Sequence, residues 1–193
     1  PFDDLADMIS IPEMLVVEPS DNRQITWLVS ELNKLDGMAY VRFDRTKLFD
    51  FYEEGSTFEL GKAVQLRDGK DVTIIATGAI CLNQAMLAAK KLEEENISAR
   101  VLDMFTVKPL DQEAVIKAAK ETGAIVTIEN ANELCGMGSL VASVLAKNTY
   151  APLECLGSHD RFGEVGDLNY LLKCFHLEAD DIVAAVKKVI TRK

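Results

Sequence analysis

Apolar residues in this chain fall in short runs separated by longer amphipathic stretches, and the two kinds alternate almost from end to end. After residue 70 the runs are 72–76, 99–102, 124–128 and 153–156, each four or five residues long. That length and continuity suit strands covered on both faces. Between them, Leu82, Ala85, Met86, Ala89 and Leu92 keep helical spacing, as do Leu140, Val141, Val144 and Leu145, and a further helix fits 112–122. A short helix over 168–175 and a closing helix over 179–192 complete the series. The closing helix carries Asp180 and Asp181 at its start and Lys187, Lys188 and Arg192 near its end, which matches the helix dipole. The pattern predicts an α/β fold, a mostly parallel doubly wound sheet of about five strands with right-handed crossovers.

The stretch from Val101 to Asp111 organises this second part. It closes one strand, with Asp103 at the strand's carboxyl end and Phe105 and Val107 placed to pin the following loop to the core. Pro109 delays the next helix, Asp111 suits its N-cap and Gly123 its C-cap. Upstream, residues 63–66 and 72–76 flank Arg67-Asp68-Gly69-Lys70-Asp71, a hairpin signature with Asp-Gly at its tip. It makes 63–66 an antiparallel strand at the edge of the sheet.

The first 52 residues read differently. Phe2, Leu5, Ala6 and Ile9 are spaced for a helix, and 14–17 is a short strand. After the break at Glu18-Pro19-Ser20, a helix capped by Ser20 or Asp21 runs to about Leu35, with Ile25, Leu28, Val29 and Leu32 on one face. A second strand covers 39–43. Two strands and two helices are too few for an ordinary doubly wound domain, so this segment is expected to be a docked fragment or the last third of a larger one. The apolar pattern lapses from Asp44 to Lys62, and Glu53-Glu54-Gly55-Ser56 is the most linker-like stretch. The expected division is 1–52, a linker 53–62, and a domain 63–193. A chain that opens Pro-Phe-Asp-Asp-Leu is expected to be a cut or processed piece.

Composition narrows the function classes. With 193 residues, 48% hydrophobic content and a net charge of −10, the chain is suited to a packed core and ill suited to a phosphate backbone, so nucleic acid is not an expected partner. The apolar runs are strand-sized and no basic-then-apolar leader opens the sequence, so no membrane association and a cytoplasmic location are expected. Cys81, Cys135, Cys155 and Cys174 are widely spaced, with only His159 and His176 to complete a metal site; four reduced, mostly buried thiols are expected, and no metal.

Four places hold candidate chemistry. Gly136-Met137-Gly138-Ser139 opens a helix after a strand and loop, where backbone N–H groups suit a phosphate. The full dinucleotide signature is missing because position 141 is Val, so a tight turn that lets helix and sheet approach is the plainer reading. Thr77-Gly78 after a strand reads as a turn. His159, in Gly157-Ser158-His159-Asp160-Arg161, lies beyond a strand's carboxyl end, but adjacent Ser, His and Asp side chains diverge and make no triad; a surface loop is expected. Arg42 and Arg45 at the end of strand 39–43 suit a fork for phosphate or carboxylate, and equally an ion pair with Asp44, Asp50 or Glu53.

A resemblance adds to this reading. Val101 to Asp111, the Ile128-Glu129-Asn130 segment with Gly136 and Gly138, and Asp160-Arg161-Phe162-Gly163-Glu164 with Leu171-Leu172 resemble the C-terminal domain of transketolases. Pro1 to Ala6, Met14 to Asp21 and Tyr40-Val41-Arg42-Phe43-Asp44-Arg45 are similar to the end of that family's pyrimidine-binding domain. The order and spacing fit the superfamily of transketolases, deoxyxylulose-phosphate synthases and two-oxoacid dehydrogenases. The D-R-F-G-E and F-T-V-K-P-L-D wording points most to transketolase, particularly its two-gene form. The resemblance implies two-carbon ketol transfer between sugar phosphates on thiamine diphosphate and magnesium. Both are expected in the full assembly and neither on this section, which is expected to be inactive alone and to support the dimer. It further implies an N-terminal diphosphate-binding partner, a homodimer or heterotetramer, and a role for Arg45, with Arg42 beside it, in holding the substrate phosphate. No catalytic residue is expected among the 193. Where the family often reads E-D-H before a Gly pair, this chain has Glu129-Asn130-Ala131 and Cys135-Gly136, so that motif's histidine is absent. The alternatives are a 1-deoxyxylulose-5-phosphate synthase or two-oxoacid dehydrogenase β-type fragment, and a non-catalytic α/β interaction module.

Overall fold

The computed structural model describes residues 2–44 and 49–193. Arg45, the residue singled out for phosphate binding, lies outside the described residues. The first part contains α1 (Asp4–Ser10), β1 (Leu15–Val17), α2 (Asn22–Leu32) and β2 (Ala39–Val41). The second part contains β3 (Val64–Arg67), β4 (Val72–Ala76), α3 (Ala79–Glu94), β5 (Ala99–Asp103), β6 (Thr106–Lys108), α4 (Gln112–Thr122), β7 (Ile125–Ile128), α5 (Met137–Asn148), β8 (Leu153–Leu156), α6 (Leu168–Cys174) and α7 (Ala179–Ile190).

Five strands form one sheet in the order β3-β5-β4-β7-β8, parallel throughout except for β3, which runs antiparallel at one edge. This is the mixed α/β sheet that the pattern predicts. Successive side chains of a strand point to opposite faces, so each buried run feeds two layers. Val72, Ile74, Ala76, Val101 and Val126 pack with α3 and α7, while Ile75, Leu102 and Ile125 pack with α4 and α5. Local chemistry sets the boundaries: Asp111 caps α4 by accepting from Ala114 N at 3.1 Å, and Gly123 ends it in the left-handed region at φ 70°.

The hairpin expected at Asp68-Gly69 is corrected by the structure. The turn is there, but β3 and β4 do not pair; β5 lies between them, antiparallel to β3 and parallel to β4. The connection instead passes over the start of β5, where Ser98 O accepts from both Lys70 N and Asp71 N at 3.1 and 2.9 Å. Gly69 permits that crossing, since a Cβ there would sit 2.2 Å from Arg100 N and 2.3 Å from Ala99 C.

A second difference concerns the loop after β5. Thr106–Lys108 is a strand that pairs antiparallel with β1, giving a three-stranded sheet in the order β2-β1-β6. Phe105 fills a small core with Leu15, Val17 and Leu28, and the edge of Trp27 packs on it at 6.0 Å. Residues 2–44 are therefore built into the rest through a shared sheet.

Candidate functional site

In a doubly wound sheet, ligands collect where the chain reverses the direction of strand addition. Here β5 is added on one side of β4 and β7 on the other, so the reversal lies between the carboxyl ends of β4 and β7. Thr77-Gly78 and Glu129 occupy those ends, and residues from the first part of the chain fill the crevice between them.

Glu18, just past β1, enters with its side chain 1% exposed. It packs so closely on Gly78, the N-cap of α3, that a Cβ there would lie 2.8 Å from its carboxyl group. Gly78 is thus more than the plain turn read from the sequence, as its backbone, at φ 75°, makes room for a carboxyl group. Arg42, past β2, brings Nε to 3.5 Å from Glu18 and 3.4 Å from Asp4, and its Nη2 donates to Asn130 O at 2.6 Å. Tyr40 O–H donates to the same Asp4 at 2.8 Å, and burial followed by that bond pushes the phenol up to about 12. Asp44 accepts from Ile80 N at 3.1 Å and so serves the first turn of α3 from outside the helix.

Glu129 lies on the other side of the reversal. Its carboxylate accepts from Met137 N at 2.7 Å and Gly138 N at 2.8 Å, a two-oxygen cap on α5. Gly136 must be glycine for this, because a Cβ there would meet Glu129 Oε2 at 2.0 Å. The phosphate cradle considered for Gly136-Met137-Gly138 is therefore taken by the chain's own carboxylate, and the close-approach reading stands. Burial raises both glutamates, against Arg42 and the hydrogen bonds, to about 7 each. Cys81, beneath them, is held as a thiol well above its ordinary range, first by burial. A crevice closed in this way joins the two parts of the chain through Glu18 against Gly78 and Arg42 against Asn130.

A second buried acid ends the stretch from Val101. Asp103 accepts from Ser20 Oγ at 2.9 Å, Gln24 Nε2 at 3.1 Å and Tyr52 O–H at 2.5 Å, and burial still raises it to about 6. Asp21 adds a four-way junction, capping α2 through Arg23 N and Gln24 N while accepting from Phe51 N and Tyr52 N. Residues 49–52 are thereby fixed on α2, and Asp50 pairs with Arg23.

Of the two arginines in the expected fork, Arg42 is placed among Asp4, Glu18 and Asn130. Asp44 and Asp50, expected as ion-pair partners, also bond elsewhere, to Ile80 N and Arg23. His159 lies on a half-exposed loop, as expected, but with Nδ1 3.3 Å from Glu133, while Asp160 accepts from Asn132; no local triad forms. The cysteines depart from expectation. All four are free thiols, yet only Cys81 is buried, Cys155 and Cys174 are partly covered, and Cys135 is exposed. Their spacing gave no sign of depth.

Comparison with known proteins decides the family. The family described as transketolase, C-terminal domain, matches residues 61–182. The chain belongs to the transketolase family. The 6-deoxy-6-sulfo-D-fructose transketolase subunit SqwH of Clostridium sp. (strain MSTE9) is 44% identical over 192 residues, 100% of this chain and 59% of its own length. An apulose-4-phosphate transketolase subunit of Phocaeicola vulgatus is 38% identical over 180 residues, 93% of this chain and 57% of its own. A solved structure described as a split-gene transketolase, an inactive beta4 tetramer, superposes with a TM-score of 0.94 at 39% identity. The match covers 98% of this chain and 62% of that one. The chain spans about three fifths of these relatives and is a transketolase C-terminal section.

Proposed function

We propose that this transketolase section works within a larger, thiamine diphosphate-dependent transferase that moves two-carbon ketol units between sugar phosphates. The observation that carries the reading is the near end-to-end likeness to subunits of two-gene transketolases, at 44% and 38% identity. These identities favour it over a 1-deoxyxylulose-5-phosphate synthase or two-oxoacid dehydrogenase fragment. The partner is the diphosphate-binding section, and the assembly is a homodimer or heterotetramer in the cytoplasm. That a relative forms a tetramer of its beta chains, and that no helix among the described residues is long and apolar enough to cross a membrane, are compatible with this.

The described residues do not fit the cofactor. The α5 start is filled by Glu129, and among the described residues no group of three or more His, Cys, Asp or Glu side chains converges on a metal position. Thiamine diphosphate and magnesium are assigned to the rest of the assembly, and this section to support of its architecture. The expected division into 1–52, 53–62 and 63–193 is retained as a division of ancestry, the first part ending a pyrimidine-binding domain.

Arg45 is the residue we assign to the substrate phosphate, with Arg42 fixing the strand end that precedes it. Supporting this, the chain on either side is tied down, by Arg42 and Asp44 before it and by Asp21 holding Phe51 and Tyr52 after it. In the assembled enzyme, Arg45→Ala should cost phosphorylated sugars about 1.5–3 kcal/mol of binding, seen as a raised KM, and unphosphorylated analogues little. Equal losses on both kinds of substrate would remove Arg45 from the site.

A further inference from the structure

His159 and His176 are the only two histidines of the sequence, and the fold sets their rings 6.1 Å apart between centroids, tilted by 56°. They come from different elements, His159 from the loop after β8 and His176 from the turn between α6 and α7. Each presents Nδ1 to a carboxylate, at 3.3 Å from Glu133 Oε1 and 3.6 Å from Asp181 Oδ1. Those carboxylates are themselves held by the backbone. The other oxygen of Glu133 accepts from His159 N at 2.7 Å, and that of Asp181 accepts from Glu178 N at 2.9 Å within the capping box of α7. Both histidines also adopt left-handed backbone angles, φ 56° and 54°, which non-glycine residues seldom occupy.

A carboxylate close to Nδ1 favours the proton on that nitrogen and leaves the Nε2 lone pair free, as carboxylates beside metal-binding histidines do. We propose that His159 and His176 together bind one divalent transition cation of the zinc or nickel class through their Nε2 atoms, with Glu133 and Asp181 orienting the rings. Metal–nitrogen bonds of about 2.0–2.1 Å put the centroids of two rings sharing an ion roughly 5–6 Å apart, close to the separation found. The side chains are 37% and 65% exposed, so water completes the coordination. Two imidazoles select zinc, nickel or copper over magnesium or calcium, which prefer oxygen ligands. The ion would clip the loop bearing His159 to the α6–α7 turn, separate from any cofactor metal of the assembly.

The test is calorimetric titration of the whole chain with Zn2+ alone, after the accessible thiols have been alkylated. One ion per chain is expected, with no saturable heat from Mg2+. His159→Gln and His176→Gln should each weaken binding on the order of tenfold or more, and Glu133→Gln on the order of 10–100-fold, since orienting carboxylates carry that much of a metal's affinity. Because Glu133 also holds the His159 loop, histidine ring NMR provides an independent readout. Signals of both rings should shift together and saturate at one equivalent of Zn2+. Unchanged affinity in the two histidine variants, absence of saturable Zn2+ binding, or a shift of one ring without the other would overturn the site.

Discussion

Glu18 and Glu129 are the residues at which burial and charge conflict most openly. Each rises from an ordinary value of 4.5 to about 7 in the folded chain, mainly through burial. A carboxyl group with a raised folded pKa binds its proton more tightly folded than unfolded. Its contribution to stability is therefore fully present below about pH 4.5 and is lost as pH rises through about 7. Glu18→Gln, which keeps the shape and removes the charge, should destabilise the chain little or not at all at pH 8 and comparatively more at pH 5. Urea midpoints of both proteins at the two pH values check this, and a pH-independent difference would show that Glu18 does not titrate in this window. Little of this cluster was legible in the sequence. Glu18 follows a buried strand and Glu129 ends another, but an acidic chain has many such residues. Only the packing of two distant segments shows which ones lose their water. Arg42 was noticed for its position at a strand end, and what distinguishes it is the set of groups around it, drawn from α1, β1 and the loop after β7.

Element by element, the sequence was most informative where a run is buried on both faces or where a cap is chemically obligatory. Val72–Ala76, Gln112–Thr122 and Leu153–Leu156 lie where the pattern places them, and Asp111 and Gly123 close α4 for the reasons its chemistry requires. Pairing partners were less legible. An Asp-Gly turn between two strand-like runs favours a hairpin locally, but burying Val72–Ala76 on both edges rewards inserting β5 beside it, and the longer-range pairing prevails. Gly69 is the residue that allows this. Gly69→Ala would press a methyl group into the backbone at Ala99 and Arg100, and such overpacking costs typically about 1–3 kcal/mol. A urea midpoint shift of that size is expected. An unchanged midpoint would mean that the crossing is looser than its contacts indicate.

At the scale of the whole molecule, residues 2–44 and residues 49–193 are joined by more than a linker. Glu18 N donates to Phe105 O at 2.7 Å, Asn132 N to Phe2 O at 2.9 Å, and Phe2 meets Phe175 edge to face at 4.6 Å. Such contacts couple the two parts, so they should unfold together. Trp27, the single tryptophan, sits on α2 of the first part against Phe58 and Phe105, while circular dichroism is dominated by the more numerous helices of the second. Coincident thermal transitions are expected, whereas an earlier tryptophan transition would make the first part an independently melting unit. The same joined structure is in keeping with the proposed division of labour: the crevice where an α/β sheet would take a ligand is closed by Glu18, Arg42 and Glu129. The most direct measurement is ketol transfer between sugar phosphates, with thiamine diphosphate and magnesium, by this chain alone and by the full-length protein assembled with its diphosphate-binding partner. The account predicts transfer only by the assembly and no stoichiometric cofactor binding by the 193 residues alone; an inactive cofactor-loaded assembly, or saturable binding and transfer by this chain alone, would contradict it.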